Sequence, residues 1–222
     1  MFLGHFALAL AAKRAAPDTS LGTLILAAQL LDGLWPLFVL IGVERVEIAP
    51  GDTAFTPLAF THYPYSHSLL ASVLWAALFA GAYMILRRDR RAALVLAALV
   101  VSHWVLDAAS HRPDLPLYPG DEARVGLGLW NSVPATLILE GLLFIGGLGV
   151  YLASTQARDR SGGAGLWALV GVLLLAYLGA AFGPPPPDAA TVAYSGLLGW
   201  VIVAWAYWID RHRAPAVAAV TG

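Results

Sequence analysis

Apolar residues fall in seven blocks, approximately Phe2–Ala16, Ser20–Val43, Ser66–Leu86, Ala92–Ser110, Gly128–Ala153, Gly165–Phe182 and Thr191–Ile209. Several approach the roughly 20 residues that a helix needs to cross a bilayer. The pattern predicts an all-α fold, a polytopic transmembrane bundle of about seven helices. The first block is short and carries His5, so it reads as a tilted or partial span. It does not read as a cleaved signal peptide, because Lys13 and Arg14 follow the apolar stretch instead of preceding it. No repeat or soluble domain interrupts the pattern. Residues 1–222 read as a single transmembrane domain, with the chemistry in 1–127 and additional helices in 128–213. The tail after Arg213 is small and is expected to fray.

Composition agrees with the pattern. Of 222 residues, 59% are hydrophobic and 12% are charged, against about 25% charged in an ordinary soluble domain. There is no cysteine, which excludes disulfides, thiolate nucleophiles and cysteine metal sites. Net charge is −1 and the basic residues sit in short loop clusters, which argues against nucleic acid as a partner. The only lysine is Lys13, so a Schiff base in a late helix is impossible.

Loop charge sets an expected orientation. Lys13/Arg14, the run 87–91, Arg158/Arg160 and Arg211/Arg213 fall on one side, and loops 44–65, 111–127 and 183–190 on the other. Lys and Arg favour the cytoplasm. The expectation is an integral protein of the cell (inner or plasma) membrane, N-terminus outside and C-terminus cytoplasmic, with both long loops outside.

Ionisable groups within apolar spans are costly and mark function by default. Here they are Asp32, His103, Asp107 and Glu140, with His5 in the first block and His67 opening the third. No Lys or Arg lies inside blocks two to seven. The carboxylates are therefore protonated, reach a flanking arginine such as Arg112, or bind a metal ion. On the expected topology His5, Asp32, His62, His67, His103, Asp107 and His111 share one depth near the outer face. Ser102-His103-x3-Asp107 places an imidazole and a carboxylate on one helix face, a spacing suited to zinc or a similar ion. Glu140 has no motif; it is either protonated and bonded to a neighbouring helix, or it completes the charge balance or carries protons.

Gly4-His5, the acid ending Ala28-Gln29-Leu30-Leu31-Asp32, His62-x4-His67-Ser68 and Ser102-His103-x3-Asp107 stand in an order that resembles the YdjM-type membrane-bound metal-dependent hydrolases. That family has an early G-H, then P-D-x-D, H-R-G-x-T-H-S and S-H-x3-D. The ligand order also resembles the soluble zinc-dependent phospholipase C group. Here only Asp32 stands where the family has two acids, and Tyr63-Pro64 and Ser66 replace Arg-Gly and Thr. The resemblance implies that His5, Asp32, His67, His103 and Asp107 are metal ligands, with His62 and His111 as ligands or their supports. It implies zinc, or another divalent ion, and Asp32 as either ligand or catalytic base. The expected function is hydrolysis of an ester or phosphoester of a membrane lipid or lipid-like substrate at the outer face. The alternatives are a proton or metal-ion transporter and a metal-binding scaffold without activity.

Overall fold

The computed structural model describes residues 1–216. The protein is mostly helical. Helix α1 (Leu3–Ala12) is followed by α2 (Leu21–Ala28) and α3 (Leu30–Leu40), then by a hairpin of β1 (Arg45–Ile48) and β2 (Leu58–His62). A short α4 (Pro64–His67) leads into α5 (Leu69–Arg87) and α6 (Arg90–Ser110). The next loop holds the two-residue strands β3 (Leu115–Pro116) and β4 (Arg124–Val125). Helices α7 (Val133–Ser154), α8 (Arg160–Phe182), α9 (Ala189–Gly196) and α10 (Leu198–Arg211) complete the bundle, with β5 (Thr155–Ala157) paired to β6 (Arg213–Pro215).

Among the described residues, five helical stretches are long and apolar enough to cross a membrane: α5, α6, α7, α8 and the α9–α10 pair. The first two apolar blocks depart from simple spans. Helix α1 has only ten residues, roughly 15 Å against a hydrocarbon core of about 30 Å. It is buried almost all round, at Leu3, Gly4, His5, Phe6, Ala7, Ala9 and Leu10, and acts as a core helix enclosed by α2, α6 and α7. The second block breaks at Gln29, where α2 and α3 meet at 56°. Counted as one span, this pair brings the total to six.

The ends of α1 and α10 meet where Lys13 Nζ pairs with Asp210 Oδ1 at 3.0 Å. Part of the expected frayed tail is ordered at that end. Arg213 is buried and its guanidinium bonds Thr155 Oγ1, at 2.9 Å from one nitrogen, because β6 supplies backbone partners to the strand that links α7 and α8. Residues 217–222, the rest of that tail, lie outside the described residues. At the opposite end, the β1–β2 hairpin and the loop carrying β3 and β4 cover α3, α4 and the end of α6. A second apolar cluster of Trp35, Val46, Tyr63 and Leu115 joins them.

Candidate metal centre

Each side chain of the cluster arrives from a different element. Helix α1 brings His5 on its first turn. The break at Gln29 places Asp32 on the first turn of α3. Helix α4 ends on His67, and Ser68 then caps α5 by accepting the Ala71 amide at 3.1 Å. This fixes the corner that holds His67 and gives the Ser of the His-Ser pair a structural task. Helix α6 brings His103 and Asp107 on adjacent turns, and its C-cap is His111. Pro113, two residues beyond the cap, accounts for the stop there.

The side chains converge. His103 Nε2 lies 3.2 Å from Asp107 Oδ2 and 3.6 Å from Asp32 Oδ1. His67 Nε2 lies 3.8 Å and 3.5 Å from the same two oxygens. On the other oxygen, Asp107 Oδ1 meets His5 Nε2 at 3.1 Å, the amino group of Met1, and His111 Nε2 at 4.0 Å. Asp107 thus divides the cluster: Oδ2 faces Asp32, His67 and His103, and Oδ1 faces His5 and His111. His5, His67, His103, Asp107 and His111 are all buried, whereas the Asp32 side chain is 45% exposed. The centre therefore opens on the Asp32 side.

Proton positions follow from the partners behind the rings. His103 Nδ1 lies 2.7 Å from the Ala28 carbonyl oxygen, which can only accept, so Nδ1 carries the proton. Ala28 ends α2, where carbonyls lose their intrahelical donors. His67 Nδ1 lies 2.7 Å from Ser66 Oγ. That hydroxyl gives its single proton to Glu44 Oε2 at 2.6 Å, so it must accept from His67. Glu44 is itself buried, and its other oxygen accepts the Tyr65 and Ser66 amides, both at 2.8 Å. His111 Nδ1 lies 3.0 Å from Asp114 Oδ1, which also accepts the Tyr63 hydroxyl at 2.7 Å. Burial, then the Asp114 carboxylate, holds the Tyr63 phenol well above its ordinary pKa, so it remains a donor. Burial lowers that of His111.

With Nδ1 protonated in all three rings, each Nε2 faces carboxylate oxygens. His103 Nε2 is enclosed and has no hydrogen-bond partner. A cation, whether proton or metal, must sit between such acceptors. The spacing fits a metal. Zinc bonds of about 2.0–2.1 Å to N and O place tetrahedral ligands about 3.3 Å apart, and the four imidazole–carboxylate separations on the Oδ2 side run from 3.2 to 3.8 Å. Two triads, His5–His103–Asp107 and Asp32–His67–His103, each bring ligand atoms within 4.8 Å of one another. The Ala28 carbonyl behind His103, the Asp114 carboxylate behind His111 and the Ser66 hydroxyl behind His67 give the orientation that metal-binding histidines need.

His62 is not part of this cluster. It ends β2, paired with Arg45, is exposed, and lines a separate polar cavity of about 220 Å³ with Tyr63 and Asp114. Sequence reasoning missed Glu44. It lies in a loop 22 residues before Ser66, with no spacing or motif to connect the two. Glu140 is likewise outside the cluster and bonds the start of α1.

These features define a helical membrane protein that carries a buried His/Asp cluster of metal-ligand type. The chain belongs to the family described as YdjM inner membrane protein, which matches residues 1–184 and so reaches from α1 through α8. No curated protein and no solved structure matches the chain.

Proposed function

We propose that this protein is a membrane-embedded, metal-dependent hydrolase. Its principal ion, zinc or a similar divalent cation, is held by Asp32, His67, His103 and Asp107 Oδ2. Asp107 Oδ1 with His5 and His111 forms a sparser set across the same carboxylate, and His62 stands outside both. The observation that carries this reading is His103, whose Nδ1 is committed to the Ala28 carbonyl while its Nε2 lies unpartnered between two carboxylates.

When bound, such an ion lowers the pKa of water towards 7 and polarises an ester or phosphoester. The protein's own groups supply the rest. Ala28, Ser66–Glu44 and Asp114 fix three imidazoles in one tautomer. Asp32, the exposed member, meets the substrate side and serves as ligand or as general base. The membrane setting favours an amphiphilic substrate, a phospholipid or another lipid-linked ester. The resemblance to zinc-dependent phospholipase C favours a phosphodiester bond. With both arginine-poor loops outside, the centre opens towards the extracytoplasmic leaflet.

The test is turnover on a panel of lipid esters and phosphodiesters by the purified full chain, with and without chelator. Hydrolysis that chelator abolishes and zinc restores is expected, and the His103→Ala variant should lack it. A metal-loaded protein inert on the whole panel, or one that conducts ions in proteoliposomes without hydrolysis, would overturn the enzymatic reading.

A further inference from the structure

Glu140 lies in the middle of α7, fully enclosed, and takes no part in the cluster described above. The buried residues of α7 are Thr136, Glu140, Phe144, Gly147 and Tyr151, spaced three or four apart along one face. Helix α7 packs against α1. At Gly147 the approach is so close that a Cβ would strike the Ala7 backbone. Two turns away on the same face, Glu140 Oε2 accepts the Gly4 amide at 3.3 Å, while Oε1 has no partner.

Helix α1 needs such a contact. Its N-cap, Phe2, offers no side-chain bond. The first amides of any helix lack intrahelical acceptors, and inside an apolar bundle water cannot replace them. A carboxylate there also suits the positive end of the helix dipole. Gly4 is the neighbour of His5, whose ring stacks on His103 with 3.6 Å between centroids and whose Nε2 meets Asp107. Whatever holds the first turn of α1 therefore holds His5.

We propose that Glu140 is a positioning residue. It caps α1 from the neighbouring helix and, together with the close approach at Gly147, fixes the register that places His5 against Asp107 and His103. The step from register to metal affinity rests on the proposed metal centre; the capping itself does not.

Two measurements on the purified full chain separate these. The first is amide hydrogen exchange at residues 4–6 without metal. The Glu140→Ala variant should exchange there about tenfold faster or more, with α5 unchanged, while Glu140→Gln, which keeps an acceptor, should stay near the native rate. The second is Zn²⁺ affinity by competition with a chromophoric chelator. Glu140→Ala should weaken binding by about tenfold, Glu140→Gln should largely restore it, and the His5→Ala/Glu140→Ala double variant should bind no worse than His5→Ala alone. The Gly147→Ala variant should move both readouts in the same direction, which serves if Glu140→Ala fails to fold. Unchanged exchange at residues 4–6 overturns the cap. Independent, multiplying losses in the double variant overturn its action through His5. If the native chain takes up no zinc, the metal centre fails and the exchange measurement still decides the cap.

Discussion

The rings of His5 and His103 lie face to face, 3.6 Å between centroids and 2° from parallel, although one comes from α1 and the other from α6. Each presents Nε2 to a different oxygen of Asp107, at 3.1 and 3.2 Å. Two imidazolium ions so close would repel, so the stack holds at most one charged ring. Asp32 and the unpartnered His103 Nε2 mark the site for a positive charge.

If that charge is a metal ion, ligand loss should be graded. His103→Ala or Asp107→Ala should abolish bound metal while leaving expression largely intact. His5→Ala, which touches only the Oδ1 side, should lower metal content or affinity without abolishing it. Elemental analysis of the purified variants checks this, and native metal content in His103→Ala would contradict it.

Behind His67, the chain of Glu44, Ser66 and the ring should matter almost as much as a ligand. Ser66→Ala removes the acceptor for Nδ1–H, and Glu44→Gln removes the charge that orients the hydroxyl. Each should weaken metal binding by about 10- to 100-fold, measured by chelator competition. Ser68→Ala, which removes only a helix cap, should lower stability by about 1 kcal/mol instead.

Orientation in the membrane is directly testable, because the native chain has no cysteine to remove. In intact cells, Glu122→Cys in the loop between α6 and α7 should react with a membrane-impermeant maleimide. Arg88→Cys, between α5 and α6, should react only after the membrane is opened. The reverse pattern would place the metal centre on the cytoplasmic side.

At the α8 start, Asp159 accepts the Gly162 amide at 2.9 Å and bonds His212 Nδ1 at 2.7 Å. The His212 bond, then the backbone amide, lowers its pKa below the ordinary value. A carboxylate depressed on folding adds stability above its unfolded pKa, about 3.9, and that stability fades as pH falls through the lower folded value. The melting temperature of Asp159→Ala should therefore lie below the native one at neutral pH, with the gap closing below about pH 4. A gap that persists in acid would assign the effect to something other than the ionised carboxylate.

Much of this architecture was legible along the chain. Blocks of apolar residues gave the membrane class, and five of them are long helices. His103 and Asp107 needed only the period of one helix. His5, Asp32 and His67 were reached through charge alternation and a family order of motifs. The first block, expected as a tilted or partial span, is a short core helix, and the second is bent at Gln29; hydropathy alone does not distinguish a helix buried in protein from one bathed in lipid. The break at Gln29 carries no proline or glycine of its own, and the bend becomes visible only where His103 takes the Ala28 carbonyl.

The chain by itself determined the membrane class and which imidazoles and carboxylates interrupt or flank its apolar blocks, because hydropathy and charge are local properties. Only the tertiary structure decided which atoms face one another. It set His62 apart from the cluster, brought Glu44 and Asp114 behind the rings, and turned the Nε2 atoms of His67 and His103 towards both Asp32 and Asp107. The physical reason is that a histidine's ligand atom is chosen by the partner behind its ring. Those partners, a helix-end carbonyl, a hydroxyl and a loop carboxylate, are brought there by the packing and turns of the folded chain.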